Sequence, residues 1–528
     1  MLNGEKRPIR FFNTTGPCNE YDHYMLPPAE RLVNAQLNRY IKDKLYWVLY
    51  APRQTGKTTF LLDWMKHINE SNEAAACYVS LERCQNLPER ERAMPEACNA
   101  VIESAVRYGF PKPELTTNGP SSMVSNILTD FSGKTAPKPL VILFDETDAL
   151  EGDAMISFLR QLRDGFMDRG IGKFPVSIVL VGMRDLKDYV TAAKNGVPPS
   201  PLSPFNIKED SVLLENFTRE NIKELFAQRT EETKQQISDE AIRYVWEQSC
   251  GQPWIVNSLF KRATMRIIKA DDYSDITLQY IKEAREQMIL ARETHLDSLV
   301  TRIKEPAVRK VMESLITGTP DPHLTDSDEF RICTDLGLVK KENGTPVITN
   351  PLYREVLARQ LTYSTQDSIP EPDWQWEKPD GSLDIDELLR EFQKFWRQNS
   401  EVWEQKSDYT EAFPHLLLMA FLQRVLNGGG RIEREYAAGR GRMDLAIEYR
   451  NHIYIIEIKL IHSYETPAEV REKGLRQITN YRDKINKTAP VYLVIFDRRE
   501  KSRSIPWEER ISCKHEVIQG GIVTVLGC

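Results

Sequence analysis

The sequence predicts a multidomain α/β protein, on three observations. At 528 residues the chain is longer than one hydrophobic core supports, so three or four domains are expected. As far as Gly182, short apolar runs alternate with longer stretches of helical periodicity, the pattern of a mainly parallel sheet with helices on both faces. After a stretch rich in proline, glycine and charge at 364–384, a second series of helices, strands and a tight hairpin begins. The composition, 41% hydrophobic and 28% charged, is that of a globular protein. No apolar run approaches the roughly 18 residues that span a bilayer, and the N-terminus lacks a signal-peptide core. No membrane association is therefore expected, and a cytoplasmic location is. The eight cysteines show no Cys-x-x-Cys spacing and no nearby histidine cluster, so they read as reduced thiols rather than disulfides or zinc ligands. The net charge of −7 does not advertise a polyanion binder. Residues 401–528 hold 20 basic against 18 acidic side chains, so the excess of acid lies upstream.

The N-terminal core is organised around Leu45–Thr59. Leu45 to Tyr50 reads as a buried strand and breaks at Pro52; Gly56-Lys57-Thr58 then opens an apolar-rich helix. Strand, loop and helix in that order make a phosphate-binding loop, in which backbone N–H groups and the helix N-terminus cradle phosphates. Pro52, Arg53, Gln54, Thr55, Gly56, Lys57, Thr58 and Thr59 are the expected ATP-binding residues, Lys57 reaching the β- and γ-phosphates and Thr58 ligating Mg²⁺. Ala51 stands where the motif has its first glycine, which narrows the backbone if that position requires φ > 0. Residues 1–43 read as a turn-rich arm rather than a helix. Its His23, Tyr24 and Pro27 are candidates for the adenine, and a surface strap is the alternative.

Ala75–Leu81 reads as a second strand and Pro88–Tyr108 as a helix. Pro139–Asp145 is an apolar strand ending in Asp145-Glu146. A buried strand that delivers two acids at its C-terminal end fits Asp145 holding Mg²⁺ and Glu146 acting as general base on the attacking water. A further strand, Val176–Val181, precedes Arg184, which can read a γ-phosphate; an ordinary salt bridge is the alternative. From Phe217 to about residue 295 the pattern is helical, with Gly251-Gln252-Pro253 opening one helix.

These motifs together resemble the STAND and archaeal-ATPase branch of the AAA+-like P-loop NTPases. The resemblance implies nucleotide-site roles for Lys57, Thr58, Asp145, Glu146, Arg184 and Pro253, the proline approaching the adenine. No motif supplies a trans arginine finger; Arg160 and Arg163 are the candidates on the helix after the acid pair. Core (44–205) and helical lid (206–297) are followed at 298–363 by two helices and a hairpin turning at Asn343-Gly344, the pattern of a winged helix. Its second helix begins acidic, which favours internal packing over DNA contact.

Residues 385–528 carry a second constellation. Ile453–Leu460 reads as a strand with Glu457 and Lys459 on one face, and Asp444 starts the strand paired with it. Converging carboxylates, with the Ile458 carbonyl as third oxygen, can hold a hard divalent cation. Lys459 would orient the metal-activated water and neutralise the scissile phosphate. This segment resembles the PD-(D/E)XK nucleases, and Gln477 with Tyr481 looks like the Gln-x-x-x-Tyr element of a RecB-like subset. The resemblance adds an acid from the first helix, Glu411, with Glu435 competing for that place. Arg440, Arg442, Lys473, Arg476 and Arg482 are candidate nucleic-acid contacts; solvated surface charge is the alternative. The resulting expectation is an ATP-controlled Mg²⁺- or Mn²⁺-dependent nuclease acting on DNA, with a homo-oligomer among its allowed states. The rival is a STAND-like regulator whose nuclease-like domain only binds a partner. A DNA-translocating motor is weaker, since no helicase motif follows the acid pair.

Overall fold

A computed structural model describes residues 9–32, 35–115, 119–183, 207–268, 272–290, 299, 301–303, 305–316, 323–366, 376–406, 413–426, 430–434, 437–438, 441–442, 445–450, 452–461, 465–485, 489–497, 499, 505–518 and 521–528. Arg184, Glu411, Glu435, Arg440 and Asp444 lie outside them, as do the side chains of Arg442, Tyr481 and Arg482. The chain divides into two compact units, residues 1–292 with 331–339, and residues 293–330 with 340–528.

In the first unit, α1 (Leu37–Lys42) leads into β1 (Tyr46–Tyr50), α2 (Lys57–Ser71) and β2 (Ala75–Ser80). Next come α3 (Arg90–Arg107), α4 (Met123–Thr135), β3 (Leu140–Asp145), α5 (Gly152–Gly165), β4 (Ser177–Gly182) and β5 (Lys208–Leu213). The strands form one parallel sheet in the order β2-β3-β4-β1-β5. Alternation along each strand builds two cores. Tyr46, Val48, Ile142, Phe144, Ile178 and Leu180 pack under α3, α4 and α5. Trp47, Leu49, Val141, Leu143, Val179 and Val181 pack under α1 and α2. The helix α1 corrects the expectation of an arm built of turns alone. The strand β5 was not anticipated, because Lys208-Glu-Asp-Ser-Val-Leu213 has too few apolar residues to signal one.

The helical stretch expected as a lid comprises α6 (Arg219–Thr233), α7 (Asp239–Ser249), α8 (Pro253–Arg262) and α9 (Leu278–Leu290). The N-terminal arm is stitched to it. Phe12 stacks among Tyr24, Phe226 and Phe260, and Trp254 Nε1 donates to the Thr14 carbonyl at 3.0 Å.

The remaining elements are α10 (Pro306–Ile316), α11 (Asp328–Asp335) and the hairpin β6 (Val339–Glu342) and β7 (Thr345–Ile348). Asn343 and Gly344 both have positive φ at its turn, as a type I′ turn requires. Then follow α12 (Pro351–Gln366), α13 (Ile385–Lys406) and α14 (Phe413–Leu426). The strands of the second unit's large sheet begin with β8 (Gly430–Arg434), and β9 (Ala437–Ala438) and β10 (Gly441–Arg442) make a separate two-residue pairing. They continue with β11 (Leu445–Tyr449), β12 (His452–Ile461), then α15 (Pro467–Ile485), β13 (Val491–Asp497), α16 (Trp507–Arg510), β14 (Ser512–Ile518) and β15 (Gly521–Gly527). The order is β14-β15-β13-β12-β11-β8, with β12, β13 and β15 parallel. Val470 and Ile478 of α15 pack on one face with Ile455, Ile461, Leu493 and Ile495. Phe392 and Trp396 of α13 meet Phe496 on the other. Two strands, β14 and β15, follow β13 and extend the sheet beyond it.

Gly251 fixes the lid entrance. It has φ +75°, and a Cβ there would lie 1.9 Å from the Phe217 carbonyl oxygen. Left-handed strain and overpacking together cost about 2–5 kcal/mol. Gly251→Ala is therefore expected to lower the unfolding midpoint of the first unit, followed by thermal denaturation. Gly133→Ala, in α4 with nothing within 4 Å, is expected to leave it unchanged or raise it slightly.

Candidate functional site

In a parallel sheet all strands deliver their C-terminal ends to one edge, where β1, β2 and β3 place the first site. Residues 51–56 make the loop between β1 and α2. Its left-handed positions fall on Gln54 (φ 57°) and Gly56 (φ 94°), not on Ala51. The missing glycine is thus harmless: Ala51 is fully buried, and its N–H donates to the Gly182 carbonyl at 3.3 Å.

Lys57 Nζ donates to the carbonyls of Ala51 (2.7 Å) and Pro52 (2.9 Å). Burial pushes its pKa down to about 8, with Asp145 and Asp148 pulling the other way. Thr58 Oγ1 donates to Asp145 Oδ2 at 2.7 Å, and the Tyr78 hydroxyl donates to the same oxygen at 3.1 Å. A hydroxyl oxygen and a carboxylate that meet at this distance are a hard donor set that fits Mg²⁺. Glu146 follows with φ 54°, a strained conformation for a non-glycine residue, and its Oε2 accepts a 2.8 Å hydrogen bond from Ser80 Oγ. Burial raises the Glu146 pKa, which the Ser80 bond opposes. A carboxylate so biased can take a proton, and the serine holds it turned toward β2.

Of the other sequence candidates, Arg53 and Gln54 are exposed, and Thr55 Oγ1 closes the loop on the Pro52 carbonyl at 2.9 Å. Thr59 Oγ1 accepts from the Cys18 N–H at 3.0 Å, which ties the arm to α2. Pro253 is buried at the first turn of α8, and the neighbouring Gln252 Nε2 donates to the Gln54 carbonyl at 3.3 Å, joining lid to loop. The His23 ring accepts from the Asn19 N–H at 3.0 Å. Tyr24 is 1% exposed, its ring packed on Phe12 and its hydroxyl on Glu232 at 2.9 Å. Both therefore stitch the arm together. Arg160 and Arg163 are exposed on α5. Arg184 falls outside the described residues.

Four residues escaped the sequence reading. Ser80 and Tyr78 lie at the end of β2, where a polar residue on the functional edge was a usable signal. Asp148 is half-buried near Lys57, and its desolvation raises its pKa. Arg31 gave no signal. Its guanidinium is buried and donates to the carbonyls of Thr55 (2.7 Å) and Glu215 (2.5 and 2.8 Å). Its Nη1 lies 3.2 Å from where a Gly56 Cβ would be. Burial lowers its pKa to about 10.

The second site lies on the α15 face of the mixed sheet. Glu457 and Lys459 share that face with Ile455 and Ile461, and Lys459 Nζ lies 2.6 Å from Glu457 Oε1. The Glu457 side chain is 1% exposed and that of Lys459 17%. On α15, Gln477 Oε1 is buried with no hydrogen-bond partner among the described residues, an oxygen with capacity to spare. The buried Glu457 carboxylate is an oxygen donor of the kind a hard divalent ion takes. Leu445, the first residue of β11, pairs with Ile456. Asp444, Glu411 and the Tyr481 side chain fall outside the described residues, so among the described residues no cluster of three acids, histidines or cysteines forms. Of the proposed nucleic-acid contacts, Lys473 is exposed and Arg476 pairs with Glu472. No helix among the described residues is long and apolar enough to cross a membrane, and none of the eight cysteines is in a disulfide.

Residues 409–507 match the family model described as PD-(D/E)XK nuclease superfamily. Among solved structures, a Walker-type ATPase of Pyrococcus abyssi is 15% identical, covering 66% of this chain and 99% of its own, with a TM-score of 0.46. The RuvB Holliday junction branch migration motor of Thermotoga maritima is 14% identical, with coverages of 61% and 90% and a TM-score of 0.34. Cdc6p from Pyrobaculum aerophilum is 12% identical, with coverages of 62% and 91% and a TM-score of 0.34. No curated protein matches the sequence. The nuclease-superfamily match thus covers the stretch that contains the Glu457–Lys459 pair.

The Lys57 pKa gives a pH signature. Its charged amine costs the folded state below about pH 8, and the cost fades as pH rises from there toward the ordinary lysine value of 10.5. An anionic phosphate brought against Nζ favours the charged form, so binding takes up a proton above about pH 8. ATP affinity is expected to be flat below pH 8 and to fall by up to about tenfold per unit above it. Titration calorimetry between pH 7 and 9.5, in buffers of different ionisation heat, measures both the affinity and the proton; a pH-independent affinity with no proton uptake contradicts it.

Proposed function

We propose that the chain is an ATP-regulated, divalent-metal-dependent nuclease acting on DNA. The observation that carries this is the Glu457–Lys459 pair, buried on one sheet face inside the segment that matches the nuclease model. In the first unit the loop amides and Lys57 bind the ATP phosphates, Lys57 leaving the Ala51 and Pro52 carbonyls to do so. Arg31, a buried cation hydrogen-bonded to backbone carbonyls, adds positive charge beside Gly56. Thr58 and Asp145 would hold Mg²⁺. Glu146, once freed from Ser80, takes the proton of the attacking water. Arg184 reads the γ-phosphate, and Pro253 closes on the adenine.

In the second unit Asp444, Glu457 and the Ile458 carbonyl would hold Mg²⁺ or Mn²⁺, which when bound acidifies water and offsets phosphate charge. Lys459 orients that water and neutralises the scissile phosphate. Gln477, Tyr481 and Glu411 position these groups. Within the first unit, the turn after α11 rests on the loop: a Cβ on Gly337 would lie 2.6 Å from Pro52 Cβ. Nucleotide turnover can therefore be felt by the winged-helix segment. That same contact favours a second reading, a STAND-like cytoplasmic switch, homo-oligomeric, whose nuclease-like domain only docks a partner. Anti-phage defence or mobile-element handling suits either reading.

Purified protein incubated with Mg²⁺ or Mn²⁺ and linear, circular or single-stranded DNA, or with RNA, with and without ATP, separates the two. Cleavage is expected on DNA, abolished by EDTA and reduced at least about 100-fold by Asp444→Ala or Glu457→Ala. Lys57→Ala should remove only its dependence on ATP. Intact ATP hydrolysis without cleavage of any substrate would leave the switch. Ser80→Ala tests the restraint on Glu146. A hydrogen bond to a charged group is worth about 1.5–3 kcal/mol, so basal ATP hydrolysis should rise roughly tenfold or more, whereas Glu146→Gln lowers it at least about 100-fold. A drop in Ser80→Ala would make the serine a positioning residue instead.

A further inference from the structure

The second unit holds a cavity of about 490 Å³ on the same sheet face as Lys459. Ile461, Ile495 and Val525, from three neighbouring parallel strands, form its apolar floor, and Ala468 and Arg471 of the first turns of α15 form one wall. Ile461 continues the alternation of Glu457 and Lys459. At about 3.3 Å per residue the floor begins roughly 7 Å beyond Lys459. A strand whose phosphate sits at Lys459 can place its adjoining nucleotide there.

The charges around the cavity sort into pairs and a remainder. Arg471 is bound to Glu516 at 2.5 and 2.8 Å, and Asp497 to Arg499 at 2.6 and 2.9 Å. Arg510 lies over the Trp507 ring, and its buried Nε has no hydrogen-bond partner among the described residues. Lys514 makes no ion pair among them either, and Glu509 is the remaining acid. Two cations, Arg510 and Lys514, thus stand at the rim of an apolar-floored pocket, with Glu509 beside them. That combination fits a ligand with a flat, weakly polar body and an anionic end.

We propose that this cavity is a subsite for one nucleotide of the cut strand, its base on the Ile461–Ile495–Val525 floor and its phosphate toward Arg510 and Lys514. The proposal rests on the nuclease reading, and binding tests it apart from cleavage. The probes are the four deoxynucleoside 5′-monophosphates and inorganic phosphate, titrated calorimetrically into the full chain carrying Lys57→Ala, so that the P-loop does not contribute. The expected result is monophosphate binding at least tenfold tighter than phosphate. Ala468→Trp, an exposed wall position, and Lys514→Glu should each weaken it at least tenfold. Monophosphate binding no tighter than phosphate, absent at about 10 mM, or unchanged by Ala468→Trp overturns the subsite. Oligonucleotides with one abasic position supply the catalytic arm: slowed cleavage at one position next to the cut, lost in Ala468→Trp, supports the subsite, and uniform cleavage counts against it. Mononucleotide binding in a chain that cuts nothing would sink the nuclease reading and keep the pocket.

Discussion

The contact between Thr58 and Asp145 is the hinge of the first unit, and it exists because of strand order. The strand β4 lies between β1 and β3, so the loop after β1 and the acids after β3 project from the same edge one strand apart. Across that gap the Thr58 hydroxyl reaches the carboxylate at 2.7 Å. Parallel register carries the end of β2 to the same edge, Ser80 pairing with Asp145, which is why a serine 66 residues away can hold Glu146. Slipping any of these strands by one residue would turn the inward side chains outward and separate the oxygens.

What the sequence disclosed was local. A continuous apolar run followed by Gly-Lys-Thr, or by Asp-Glu, needs no knowledge of the fold to be recognised, and β1 and β3 fall within a residue of where those runs place them. Alternation alone put Glu457 and Lys459 on one face, and the two side chains meet there. The turn between β11 and β12 came equally directly, Tyr449 pairing with His452 across two residues. By contrast β5 is an edge strand with charged residues, stable because it pairs with β1, not because its own side chains ask for a sheet. The hairpin of β14 and β15 carried a signal that went unread: alternating Val517 to Val525 around a Gly-Gly pair.

The long-range polar partners were illegible for a different reason. Arg31 is satisfied by backbone carbonyls of Thr55 and Glu215, and any residue presents a carbonyl, so no side-chain pattern marks the place. Tyr24 illustrates the reverse case. An aromatic residue just before the first strand invites assignment to the adenine, but the ring is used by Phe12 and the hydroxyl by Glu232 of α6. Burying the arm against the lid yields about 1.5–3 kcal/mol per large apolar side chain, a gain that composition cannot apportion between core and ligand.

The two lysines proposed to meet phosphate follow one logic in unrelated sheets. Lys57 is held by two carbonyl oxygens of its own loop, and Lys459 by the carboxylate beside it. Each amine is thereby fixed in a partly dry place, where an unpaired charge would cost several kcal/mol. A phosphate must displace an existing acceptor to engage either lysine, so only an anion delivered by the rest of its site competes. At Lys57 the displaced acceptors are neutral, and a phosphate wins on charge alone. At Lys459 the acceptor is an anion, and the exchange becomes favourable only when a cation takes over the Glu457 carboxylate. On the proposed reading the second site would therefore require metal and phosphate together, whereas the first would accept its nucleotide before its metal.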